Sequence, residues 1–202
     1  MDIIKLEAEH TKKAAELLAA AFFNYPMMVR YFPDPKKRKR RLTWYMKNVL
    51  NSAIRYGEAF VTPDITGALF MLPPGHTRLT TNEYIKSGFL MTPLVMGYRN
   101  YKLSNECEKF VADTHERQMN GREHYYLWGL VVDPGTQRKG VGSALMKIII
   151  DKADTKNVPI YLETHDKNNV DYYERFGFKL IHTGTITGHG LEFWCMLRET
   201  GV

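Results

Sequence analysis

The segment QRKGVGS (137–143) collects residue types that bind a phosphate. It follows a β-branched apolar run and the turn Asp133-Pro134-Gly135, and it precedes an apolar rhythm that suits a helix. A helix start exposes several unpaired N–H groups and a partial positive charge. Gly140 and Gly142 remove side-chain bulk, so an anion can approach those N–H groups. Arg138 and Lys139 add charge beside them. Two familiar cradles fail on spacing. A P-loop would accept Gly135 and Gly140 but needs Lys where Val141 stands; the dinucleotide motif G-x-G-x-x-G needs a small residue where Leu145 stands. What remains is Gln-x-x-Gly-x-Gly.

The flanking elements must position that loop. HYYLWGLVVDP (124–134) reads as a strand, and the helix opening at Gly140 puts Val141, Ala144, Leu145, Ile148 and Ile149 on one face. PIYLETH (159–165) is a second strand, so the unit is βαβ and its strands should be parallel. NNVDYYERFGF (168–178) is a short helix stopped at Gly177, with Asn168 or Asn169 as its cap. FKLIHTG and LEFWCML close as two strands. Upstream, IIKL (3–6) is an edge strand and residues 11–23 are an amphipathic helix. NYP and FPDP are breaks. Asp34-Pro35 opens a helix running to about Gly57. EAFVT and ITGALFML form a hairpin. Residues 80–120 are mostly helical, interrupted near Pro93 and Gly97. The expected fold class is α/β: a mixed sheet with helices on both faces, as one domain over 1–202.

The chain has 202 residues, 44% of them apolar, enough for a sizeable core. Its net charge of +6 favours anionic partners without choosing among them. Two cysteines, Cys107 and Cys195, show no pairing or CxxC pattern, which points to a reducing, cytoplasmic setting. The charged start is not a signal peptide, no run suits a membrane span, and no metal is called for. The basic run PKKRKRR (35–41), with Lys36–Arg41 at its centre, is read as the solvated face of a helix rather than a nucleic-acid patch.

Q-x-x-G-x-G after LVVDP resembles the acetyl-CoA motif of the GNAT N-acetyltransferase superfamily. NNVDYYERFGF resembles that superfamily's second motif. More narrowly, HYYLWGLVVDP, YLETHDKNNVDYYERFGF and EFWCMLR look like the C-terminal half of puromycin N-acetyltransferase-like proteins. FPDP before a basic helix and a strand ending LPPG echo their N-terminal half. The resemblance implies a GNAT fold whose parallel strands splay, with 121–202 binding acetyl-CoA and 1–120 on the acceptor side. It implies transfer of an acetyl group from acetyl-CoA to a small-molecule amine by direct attack in a ternary complex. The diphosphate would lie on Gln137, Arg138, Lys139, Gly140, Val141, Gly142 and Ser143. The pantetheine arm would pair with the backbone of Leu130, Val131 and Val132, near a bulge at Gly129. Asn169 would touch the arm, and Tyr173 would be both cofactor contact and general acid for the departing thiolate.

For the base, Glu163 in the apolar IYLET is the leading candidate, since partial desolvation raises a carboxyl toward the working range. His124 and His165 are alternatives, each otherwise a surface histidine. Tyr172 is packing or a cofactor contact. FFNYPMMVRYF (22–32), with Trp128 and Tyr126, would line the acceptor pocket. The C-terminal strands could pair two subunits into a homodimer. A different reading is a regulatory module of GNAT fold that binds acetyl-CoA or nucleic acid without turnover.

Overall fold

The computed structural model describes residues 1–201. One seven-stranded sheet runs through it in the order β1-β2-β3-β4-β5-β7-β6. The strands are β1 (Ile4–Lys5), β2 (Glu58–Val61), β3 (Gly67–Leu72), β4 (Tyr125–Val132), β5 (Ile160–Thr164), β6 (Lys179–Ile186) and β7 (Leu191–Arg198). The β4–β5 pair is parallel and every other neighbouring pair is antiparallel. The expected mixed sheet is therefore present.

Eight α-helices cover the sheet among the described residues. They are α1 (Thr11–Ala21), α2 (Pro26–Tyr31), α3 (Pro35–Tyr56), α4 (Thr81–Lys86), α5 (Thr92–Met96), α6 (Tyr98–Met119), α7 (Val141–Lys156) and α8 (Asn168–Glu174). Two apolar clusters sandwich the sheet. One joins Leu18, Leu42, Leu50 and Tyr31 of α1–α3 to Phe70, Val131 and Tyr161. The other sets Leu145, Met146 and Ile149 of α7 with Tyr173 and Phe178 against Leu69, Leu127 and Leu162. No helix among the described residues is long and apolar enough to cross a membrane.

Several boundaries follow the sequence. Asp34 caps α3 by accepting from Lys36 N–H at 3.0 Å, with Pro35 in the first turn. The helical breaks near Pro93 and Gly97 are the junctions of α5. The break at NYP is present as well: α1 ends at Ala21 and Pro26 starts α2, because proline's fixed φ suits a first helical turn. Three expectations are corrected. Arg38 leaves the solvated face. It is 7% exposed, stacks on Phe23 at 5.0 Å, and donates to the carbonyls of Phe32 (2.6 Å), Pro33 (3.1 Å) and Phe23 (3.3 Å). Its role is to satisfy the carbonyls where α2 hands over to α3. Neither Asn168 nor Asn169 caps α8; Asp166 Oδ1 takes the Asn168 N–H at 3.0 Å instead. His124 and His165 are buried, not on the surface.

Candidate active site

Parallel strands β4 and β5 pair only at Tyr125–Ile160 and Tyr126–Tyr161. Beyond Tyr126 they part. β4 continues to Val132 along β3, while β5 continues to Thr164 along β7. A bulge at Trp128 accompanies the parting: Phe70 faces Gly129 and Met71 faces Leu127, leaving Trp128 without a partner. Gly129 is required there, since a Cβ would lie 2.1 Å from Phe70 Cζ. Leu130, Val131 and Val132 thus have β3 on one side and an open strand edge on the other. Open backbone edges invite an added strand.

The open edge leads to the glycine loop. Arg138 (φ 62°) and Gly140 (φ 82°) take left-handed conformations around Lys139, a backbone pattern that turns successive N–H groups the same way. Ala144 N–H is the first to find a helical acceptor, Gly140 O at 2.9 Å; no N–H from Gln137 to Ser143 bonds within the described chain. A Cβ on Gly140 would meet nothing within 4 Å, so the approach is clear. Gly142 has a different reason to be glycine. Its Cβ would sit 2.5 Å from the Tyr172 hydroxyl, which is buried and lacks a partner. Tyr172 packs on the cradle from behind, and Arg175 lies over its ring at 5.2 Å. These free amides and the open edge fit a coenzyme with a diphosphate and an amide-bearing arm.

Tyr173 comes from α8 and is 9% exposed. Its hydroxyl bonds no protein group, and burial, with Tyr25 and Tyr172 nearby, keeps the phenol protonated well above its usual range. Asn169 Nδ2 donates to Thr164 Oγ1 at 3.0 Å, tying the start of α8 to the end of β5. Tyr25, between α1 and α2, ties the N-terminal half to the same strand end. Its oxygen accepts from His165 N–H at 2.6 Å and shares a proton with Thr164 Oγ1 at 3.3 Å.

Glu163 stands on β5 past the point of parting. Tyr126 O–H donates to its Oε1, and its Oε2 is covered without a hydrogen-bond partner. Burial raises the carboxyl to about 8; Glu108 pushes it further up, while Tyr126 and Tyr161 draw it down. The side chain is half-buried and opens on a cavity of about 720 Å³. Phe22, Tyr25, Met27, Met28, Tyr45 and Phe70 line that cavity with Tyr126, Trp128, Glu108 and Glu163. The aromatic and Met-rich segment 22–32 thus contributes walls, as do Tyr126 and Trp128.

The two histidines are poorer bases. His124 Nδ1 lies 2.6 Å from Arg122 O, a pure acceptor, so Nδ1 carries the proton. Its Nε2 then accepts from His115 Nε2 at 2.6 Å, which occupies the lone pair. Burial holds His115 down to about 3, and it stacks on Tyr161 at 4.1 Å. His165 donates Nδ1–H to Glu192 O at 3.1 Å, and burial lowers it to about 4. Sequence reasoning missed Glu108 and His115, whose signals lie in long-range packing.

The splayed mixed sheet flanked by helices is the fold of the acyl-CoA N-acyltransferases. Residues 95–178 match the acetyltransferase (GNAT) family, and that match together with the fold supports an enzyme that uses acetyl-CoA. An uncharacterized N-acetyltransferase of Schizosaccharomyces pombe is 27% identical over 179 residues, spanning 86% of this chain and 72% of its own. A crystal structure described as histone acetyltransferase HPA2 and related acetyltransferase from Corynebacterium glutamicum superposes with TM-score 0.67. It is 18% identical, over 99% of this chain and 96% of that one. An agmatine N-acetyltransferase gives 0.66 at 15% identity, over 98% of both chains. At these identities the structural likeness is one of fold.

Proposed function

We propose that the protein acetylates a primary amine of a small molecule by direct attack in a ternary complex, and that Glu163 and Tyr173 move the protons. The observation that carries this reading is Glu163: a raised carboxyl with an unoccupied oxygen, standing where the splay meets the cavity. Acetyl-CoA supplies an activated acetyl thioester. The amides of 137–143 and the backbone of 130–132 would hold it, with Asn169 beside the arm. The N-terminal half, 1–120, would form most of the acceptor side.

An alkylamine is mostly protonated near neutrality, its pKa being about 10. Glu163 takes the proton, directly or through a water, which makes the nitrogen nucleophilic. The N–C bond to the acetyl carbon forms, the C–S bond breaks, and the surplus proton on the new amide nitrogen leaves to solvent, from which Tyr173 regains the proton it gives to sulfur. A free backbone N–H near Leu130 steadies charge on the carbonyl oxygen. Tyr173 O–H donates to the departing sulfur, a task that suits a phenol held protonated. A structure named agmatine N-acetyltransferase shares this fold, which supports a small amine as the acceptor class for this cavity. The puromycin-like resemblance lies mainly in the coenzyme half and does not choose the acceptor. Edge strand β6 offers a surface for pairing two copies.

The test is release of free thiol from acetyl-CoA across a panel of primary amines. Saturable turnover is expected, falling roughly 100-fold or more in Tyr173→Phe with CoA affinity kept within a few-fold. Undiminished turnover in that variant would remove Tyr173 from the mechanism.

A further inference from the structure

The acceptor cavity carries an uncompensated negative charge, although the chain as a whole is +6. Its cationic wall residues are each paired. Arg78 meets Glu116 at 2.5 Å, Lys109 meets Asp113 at 2.5 Å, and Arg122 meets Glu199 at 2.7 Å. Glu108 has no such partner. It projects from α6 into the cavity, exposed to it rather than packed. Fully buried Tyr31 donates to its Oε1 at 3.0 Å, which fixes the carboxylate's direction. Around it the walls are aromatic, with Tyr45 and Tyr84, whose phenols are raised by burial and then by the nearby Glu108 charge. A carboxylate set among ring faces, with no protein cation, is a receptor for an organic cation.

Glu108 and Glu163 open on the same cavity and are close enough for Glu108 to raise the Glu163 carboxyl. Exposed Glu123, at the rim, adds to the sign. Resting on the acetyltransferase reading above, we propose that Glu108 determines specificity. It docks a second positive charge on the acceptor, so the preferred substrates are diamines or amines with a distal guanidinium. One nitrogen loses its proton near Glu163 while the far cation pairs with Glu108. An acceptor bearing a carboxylate at its far end would be repelled.

The experiment compares kcat/KM for linear diamines and monoamines of matched length in wild type, Glu108→Gln and Glu108→Lys. Wild type should favour the diamine at least tenfold, chiefly through KM. Glu108→Gln should cut that diamine-to-monoamine ratio about tenfold, and Glu108→Lys should turn preference toward ω-amino acids. A wild-type ratio near one, or a ratio unchanged in Glu108→Gln, overturns the assignment while monoamine turnover leaves the acetyltransferase reading standing. Failure of every amine in every protein sinks both.

Discussion

Replacing Glu163 by Gln should change the pH dependence of stability in a way that geometry dictates. In the unfolded chain this carboxyl titrates at 4.5; in the fold it titrates at about 8. Between those values native Glu163 holds a proton that the unfolded chain has released. Stability from this site is therefore fully present below pH 4.5 and is lost as pH rises through about 8. The slope for one proton is about 1.4 kcal/mol per pH unit, and over the whole window the loss approaches roughly 5 kcal/mol. The opening of Glu163 on the cavity makes that an upper figure. Gln keeps the acceptor oxygen for Tyr126 O–H and the side-chain volume but has no proton to lose. Urea unfolding of both proteins at pH 5.5, 6.5, 7.5 and 8.5 measures the effect. Wild type minus Glu163→Gln should fall by about 1 kcal/mol per unit through neutrality and flatten above pH 9. A difference independent of pH would refute a raised Glu163 carboxyl, and with it the reason to prefer Glu163 as base. In kcat/KM, the limb that rises toward pH 8 should vanish in the same variant.

Two other substitutions probe the supports of the site. Gly142→Ala should destabilise by about 1–3 kcal/mol through the 2.5 Å approach to the Tyr172 hydroxyl. In Tyr172→Phe most of that cost should disappear, because the next contacts lie at 3.5 Å; a double-mutant cycle with coupling near zero would mean Tyr172 does not fill this space. Arg38→Ala should cost about 2–3 kcal/mol by stranding three carbonyls, whereas Lys37→Ala, on an exposed pair with Asp34, should stay within about 0.5 kcal/mol. Equal costs in urea unfolding would contradict Arg38's place between α2 and α3.

What could be read from sequence was local. The Asp34-Pro35 cap, the hairpin of β2 and β3, the strand–glycine–helix of 125–156 and the bulge near Gly129 each declare themselves within a few residues. The Glu163 environment was also local, because the acid in IYLET follows the apolar run Ile160-Tyr161-Leu162 within one strand. The failures have a common physical cause. Arg38 sits in a run of like residues, and nothing in PKKRKRR marks the one that turns inward to three carbonyls. Glu108 lies in NECEKF beside Glu106 and Lys109, an ordinary helix surface until Tyr31, 77 residues away, donates to it. Gly142 was legible as a glycine but not for its neighbour, because Tyr172 reaches it only after α8 folds back over the start of α7.

The central claim is that the unpaired amides of 137–143 hold the diphosphate of the coenzyme. Calorimetric titration of the purified protein with dephospho-CoA and with pantetheine, which shares the arm but lacks the diphosphate, tests it most directly. The account predicts saturable binding of dephospho-CoA and at least about 100-fold weaker binding of pantetheine, a difference of roughly 2.7 kcal/mol. Equal affinity for the two, or no heat with dephospho-CoA, would contradict it.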